Sequence, residues 1–209
     1  MPGLDHIIAK SLSNIIEKNL GIKTVQKIEY RLFEKYGISW NQSLEEFEKL
    51  DFVLKELFGD GGARGLENRF CENIFDSKSK KTKESWIIIS DPSINSTIIQ
   101  TFGDLEKKKI IESVISVPKI MYEIIKECDL PQTSGYRKIN ALINDGFLIP
   151  TEFEIKENKK IFKYICIFKN LKIDINSNKI KVSIQLNDSE QGQCSFLRII
   201  NAEFHHNKL

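Results

Sequence analysis

The sequence predicts an α+β fold in which helices come first and β-hairpins last. Three observations predict it. Residues 4–75 carry apolar side chains at three- and four-residue spacing, the period of one helix face. Much of residues 147–186 alternates apolar with polar, the period of a half-buried strand. Between them SVPKIMYEIIKECDLPQTSGYRKINALINDGFLI, residues 116–149, reads as two short helices joined by a tight turn. This divides the chain into a four-helix domain (1–75), a linker with short connecting elements (76–103), a second domain (104–186) and a tail (187–209).

The first helix spans residues 4–20. Leu4, Ile7, Ile8, Leu12, Ile15, Ile16 and Leu20 form its stripe and Gly21 ends it. Thr24 is placed to cap a second helix with Val25, Ile28, Leu32, Phe33 and Tyr36 inward and Gly37 as its stop. Ser43 with Glu46 three residues on has the form of a capping box. It opens a third helix carrying Leu44, Phe47, Leu50, Leu54, Leu57 and Phe58, which Gly59-Asp60-Gly61-Gly62 breaks. A fourth helix over residues 63–75 offers Leu66, Phe70, Ile74 and Phe75. The glycine run lacks the trailing Gly-Lys-Ser/Thr of a phosphate loop and follows a helix, so it reads as a helix–helix connection.

DSKSKKTKES, residues 76–85, is polar and basic without an apolar period, as an exposed linker is. Trp86–Ser90 is a short β-like run. A helix over Ser93–Phe102 would turn Ile94, Ile98 and Ile99 inward. Asp104 caps the next helix, expected to reach about Ser116 and to bury Leu105, Ile110, Ile111, Val114 and Ile115.

The two short helices follow. Pro118 marks the start of the first, where a missing N–H costs nothing, and Ile120, Met121, Ile124, Ile125 and Cys128 make its face. Pro131 stops it. Thr133 or Ser134 can cap the second, whose period puts Tyr136, Ile139, Leu142 and Ile143 inside, with Gly146 just past its end. Its outer face carries Gln132, Thr133, Ser134, Gly135, Arg137, Lys138, Asn140 and Asn144. Arg and Lys grip guanine or phosphate, Asn pairs with adenine, and small residues near a helix N-terminus allow close approach to a nucleic-acid backbone. The same face is also what any solvated helix hairpin presents.

A hairpin comes next. Its strands are Phe147–Ile155 and Lys160–Phe168, and its tip is Lys156-Glu157-Asn158-Lys159. Lys156, Lys159 and Lys160 are what such a wing would lay on phosphates. A second pair, Leu171–Ile175 and Lys179–Leu186, turns at Asn176-Ser177-Asn178 and alternates through Ile173, Ile175, Ile180, Val182, Ile184 and Leu186; it would cover the wing or pair across a dimer. In the tail, SFLRIINAEF is apolar enough to dock against the rest.

The run DLPQTSGYRKINALINDGFL resembles the helix-turn-helix core of archaeal winged-helix transcription regulators of the ArsR-like class, most closely over Gln132–Leu148 and more loosely over residues 104–186. The resemblance implies a winged helix-turn-helix domain whose helix over 132–145 enters the major groove while the hairpin touches the backbone. It implies base or phosphate contact for Ser134, Tyr136, Arg137, Lys138 and Asn140. The Cys/His metal clusters of some members have no counterpart here. SLEEFEKLDFVLKELFGDGGARGLE resembles a small helical domain found beside winged helices in regulators of ammonia-oxidising archaea, called an output domain; the likeness covers about residues 25–75.

Charge agrees with that division. Residues 1–75 hold 10 Lys and Arg against 12 Asp and Glu, a balance of −2; residues 104–186 hold 15 against 11, a balance of +4. Cys71, Cys128, Cys166 and Cys194 form no CxxC pair, which argues against a disulfide framework and for a reducing cytoplasm. Neither a signal-peptide core nor a run of the ~20 apolar residues a membrane span needs is expected. The three histidines stand near the two ends of the chain and no Ser or Cys sits in a glycine elbow, so neither catalysis nor a cofactor or metal is expected. The sequence points to a cytoplasmic, homodimeric transcription regulator with double-stranded DNA as partner and a sensing or protein-binding role for the N-terminal helices. The alternative is an adaptor whose winged helix binds protein instead.

Overall fold

A computed structural model describes residues 3–76, 86–156, 158–176, 179–191 and 193–206. It is a mixed α+β structure, helices mostly N-terminal and strands mostly C-terminal, with two small antiparallel three-stranded sheets among the described residues. The basic linker expected over residues 76–85 lies outside them except for Asp76.

Helix α1 (Leu4–Leu20) buries Leu4, Ile7, Ile8, Leu12 and Ile16. Gly21, at φ +76°, separates it from α2 (Ile22–Tyr36). In α2 only Ile28 and Leu32 are fully inside, with Val25 and Tyr36 at the edge of the stripe. Phe33 stands about 100° further round the helix and is 68% exposed, contrary to expectation. Thr24 does not cap α2: its N-cap is Gly21, without a side-chain bond.

The next cap also differs. Ser39, not Ser43, opens α3 (Trp40–Glu45), in a reciprocal box with Gln42. Ser43 is buried and donates its hydroxyl to the Trp40 carbonyl at 2.7 Å. Helix α4 (Phe47–Ile74) then joins what the sequence divided into two helices. Only Gly59 leaves helical geometry, at φ +70°, and the helix resumes at once beyond this kink. Leu57 and Phe58, expected inside, are 44% and 38% exposed.

Strand β1 (Ile87–Ile89) leads to α5 (Pro92–Gly103), which Asp91 caps through the N–H groups of Ser93 and Ile94. Helix α6 (Leu105–Ser113) is capped by Asp104 as expected, but it ends earlier and Leu105 is exposed. The stretch around Pro118 is not helical. Lys119 and Ile120 form β2 and pair with Tyr164 and Lys163, so the helix starts only at Met121. The residue before a proline is pushed towards extended backbone, and the ladder continues what Pro118 begins.

Helix α7 (Met121–Glu127) and α8 (Gln132–Asn144) flank a turn in which Asp129 takes φ +51°. Strands β3 (Leu148–Lys156) and β4 (Lys159–Cys166) follow, giving the order β2-β4-β3. Strands β5 (Phe168–Asn176) and β6 (Lys179–Leu186) form the second sheet with β1, in the order β1-β6-β5.

The tail turns back on the N-terminal helices through α9 (Asp188–Gln191) and α10 (Ser195–His206). Phe196 is fully buried, edge-on to Phe47 with ring centroids 4.8 Å apart. The Asp5 carboxylate accepts from the Ser195 and Phe196 N–H groups at 2.7 and 3.2 Å, and Glu190 accepts from the Leu4 N–H at 2.7 Å. Each helix start is thus capped by a carboxylate of the other segment. One buried apolar cluster runs from Leu4 to Ile200, across the divisions drawn at residues 75, 103 and 186.

Candidate nucleic-acid interface

The candidate site is built on α8, and α8 is held from one side. Ile139 and Leu142 are fully buried. Gly135 is buried too, and the expectation that it lies on the outer face is corrected: a Cβ there would stand 2.7 Å from Ile125 Cγ1. The glycine therefore serves the approach of α8 to α7. Tyr136 and Ile143 are partly buried against the core. No side chain caps α8; its N-cap is Pro131, so neither Thr133 nor Ser134 has that role. At the other end Gly146 adopts φ +82°, as expected past a helix C-terminus. A Cβ at Gly146 would also meet the Gly3 carbonyl oxygen at 2.7 Å.

Lys138 is the second correction to the outer face. Its ammonium lies 2.6 Å from Asp104 Oδ2 and 3.1 Å from Glu106 Oε2, with 16% of the side chain exposed. Asp104 meanwhile accepts from the N–H groups of Glu106 and Lys107 at the start of α6. Lys138, then the Lys107 N–H, hold the Asp104 carboxyl below the usual carboxylate range, and Asp104 in turn raises Lys138. Lys138 is a tie between α6 and α8.

What stays open on α8 is narrower than the predicted set. Thr133, Arg137, Asn140 and Asn144 are exposed at spacings of four, three and four, a single stripe on the side opposite the anchor. Gln132 is exposed beside the helix start, and Ser134 is half-buried. Arg137 forms no ion pair among the described residues. The neighbours Arg137 and Lys138 thus differ completely in use, for want only of 100° of helical rotation.

Three residues, Asp145–Phe147, join α8 to the β3–β4 hairpin. Its register pairs Phe153 with Phe162, Ile155 with Lys160 and Lys156 with Lys159. Lys159 and Lys160 are exposed, and Lys160 Nζ stands 4.8 Å from the centre of the Phe153 ring. Lys156 is exposed but shared, 3.1 Å from Glu154 Oε2. Glu154 also binds Lys163 at 3.0 Å, and the two lysines, Lys163 first, hold its carboxyl below the usual range. Glu157 at the tip lies outside the described residues.

One feature of the hairpin escaped the sequence reading. Phe153, Ile155 and Phe162 share a face and are 48%, 68% and 44% exposed. Strand alternation placed them together without saying which face the core would cover. The four cysteines are all buried, and burial pushes the Cys166 thiol up to about 12. No helix of the described residues is long and apolar enough to cross a membrane. No family model, curated protein or solved structure matches the chain.

Proposed function

We propose that this chain is a DNA-binding transcription regulator of the winged helix-turn-helix kind, similar to the archaeal ArsR-like class. In this reading α8 is the recognition helix and β3–β4 the wing. The observation that carries it is the two-sidedness of α8: Gly135, Ile139 and Leu142 lock one side, and the stripe Thr133, Arg137, Asn140, Asn144 is left open. A helix fixed against its own domain can present side chains to base edges in one register. The order β2-β4-β3, with a hairpin tip carrying Lys159 and Lys160, supports the same reading. Arg137, Asn140, Thr133 and Gln132 read bases or grip phosphates at the helix, and Lys159 and Lys160 take phosphates at the wing, with Lys156 as a weaker contributor. Ser134 and Tyr136 act at the rim. The regulator works as a cytoplasmic homodimer, since paired half-sites multiply a weak single contact. It needs no cofactor and catalyses nothing; the N-terminal helices receive a signal or a protein partner.

Selection of bound duplexes from a random pool, followed by salt titration of the winner, tests this. The expected result is an enriched palindrome whose binding falls steeply with salt. Changing Arg137 to Ala should cost about 1–3 kcal/mol of binding and relax preference at one position. Unchanged affinity and preference in that variant would remove α8 from the interface. The exposed Phe153, Ile155 and Phe162 favour a second reading, a protein-binding adaptor. It predicts no enriched duplex and a flat salt response.

A further inference from the structure

We propose that the free edge of β5 is the seam of a homodimer, two copies pairing antiparallel about a two-fold axis through Ile173. This rests on the dimeric reading above and gives that dimer its interface.

Among the described residues β5 has β6 on one side and no strand on the other. Such an edge presents a row of unpaired N–H and C=O groups, a ready template for another strand. Its apolar face is only half covered. Ile184 and Val182 on β6 are buried, whereas Ile173, opposite Val182, is 37% exposed and the outer pair Ile175 and Ile180 are 76% and 50% exposed.

The chemistry of the edge identifies the occupant. Residues 170–176 read Asn-Leu-Lys-Ile-Asp-Ile-Asn, which is self-complementary about its centre. Antiparallel pairing with a second copy, centred on Ile173, sets Ile173 against the partner's Ile173 and Leu171 against the partner's Ile175. On the other face it sets Lys172 against the partner's Asp174, and Asn170 against the partner's Asn176. Every apolar residue meets an apolar one and every charge its opposite, which is what an isologous contact requires. Other registers lose this. Centring on Lys172 or on Asp174 puts like charges face to face, and a slip by one residue sets Lys172 against Ile173. In the single chain Lys172 Nζ lies 3.4 Å from Asp174 Oδ1, so pairing exchanges that exposed contact for two across the seam. The result is a continuous six-stranded sheet, β1-β6-β5 joined to the partner's β5-β6-β1, with the exposed isoleucines of both hairpins side by side.

Sedimentation equilibrium of the full chain, at micromolar concentrations without DNA, tests it. The wild type should sediment at twice its 24.2 kDa. Asp174→Lys sets lysine against lysine at two symmetric positions and should weaken the dimer by about tenfold or more. Lys172→Asp should do the same with two pairs of aspartates. The double exchange K172D/D174K restores opposite charges and should recover wild-type association. Far-UV circular dichroism of each variant reports that the sheet is intact. A wild type that stays monomeric overturns the seam. So does a dimer that Asp174→Lys leaves untouched, or a double exchange as weak as the single ones. Arg137→Ala should sediment as wild type. A dimer with this charge pattern that selects no duplex upholds the seam and removes the DNA reading, whereas a monomer that binds DNA does the reverse.

Discussion

Two corners of the molecule use the same device in opposite electrostatic settings. At the α6–α8 corner Asp104 accepts two N–H groups at a helix start and also holds the Lys138 ammonium. At the α1–α10 corner Glu190 accepts the Leu4 N–H, but burial withdraws it from water and Asp5 adds a like charge. Lys138 and the backbone donors lower the pKa of Asp104, whereas burial raises that of Glu190 to about 7. A carboxylate cap is therefore no fixed quantity: the cation beside it or the solvent taken from it decides whether it is charged at neutral pH.

The signs follow by linkage. A lowered acid such as Asp104 contributes stability that is present above its ordinary value of 3.8 and is lost as pH falls through the folded-state value. Lys138, raised, contributes below its ordinary 10.5, and that part is lost as pH rises through its folded-state value. Glu190, a raised acid, is in its favoured protonated form at low pH; its contribution is full below 4.5 and is lost as pH climbs to about 7.

The largest expected effect breaks the α1–α10 corner outright. Asp5→Ala strands the N–H groups of Ser195 and Phe196 in a buried setting and should cost about 3 kcal/mol in urea unfolding. A cost under about 0.5 kcal/mol would mean α10 docks without its cap. Next, Asp104→Ala removes the α6 cap and leaves Lys138 one carboxylate short, for a loss of about 1–2 kcal/mol. Lys138→Met should cost less, because Asp104 keeps its backbone donors; equal costs would refute the separation of cap from tie. Glu190→Gln sharpens the contrast through pH. The wild-type melting temperature should be lower at pH 8 than at pH 5 by about 3 °C on this group's account, and the variant should flatten that difference. A pH profile that the substitution leaves unaltered would place Glu190 in water. The smallest effect on stability is expected at Arg137→Ala, within about 0.5 kcal/mol of wild type, since the side chain is exposed and forms no ion pair among the described residues. A large loss of stability there would make Arg137 part of the scaffold.

Much of this was readable from the chain. Periodicity located α1, α2, α5 and α8, local chemistry located the Asp104 cap, and alternation located both hairpins; the Asp91 cap of α5 appeared only in the structure. What failed, failed for particular reasons. Ser43 has Glu46 three residues on, but it is buried within α3 with its hydroxyl on the Trp40 carbonyl, and the box is made by Ser39 with Gln42 instead. Phe33 and Leu105 are apolar at the margin of a stripe, where burial depends on a neighbour that local sequence does not specify. Lys138 and Arg137 are adjacent and chemically alike, and Asp104, the residue that separates them, stands 34 positions away.

The sequence by itself determined what depends on neighbours within a few residues: helix faces, strand alternation, the left-handed glycine at 146 and the self-complementary order of charges along β5. Those follow from steric and hydrogen-bonding rules that act over one or two turns of chain. Tertiary structure alone decided which lysine is tied and which arginine is open, why Gly135 admits no side chain, where α10 docks, and which strand is left with an unpaired edge. Each of these depends on segments distant in the chain, and is fixed only once the apolar cluster has closed.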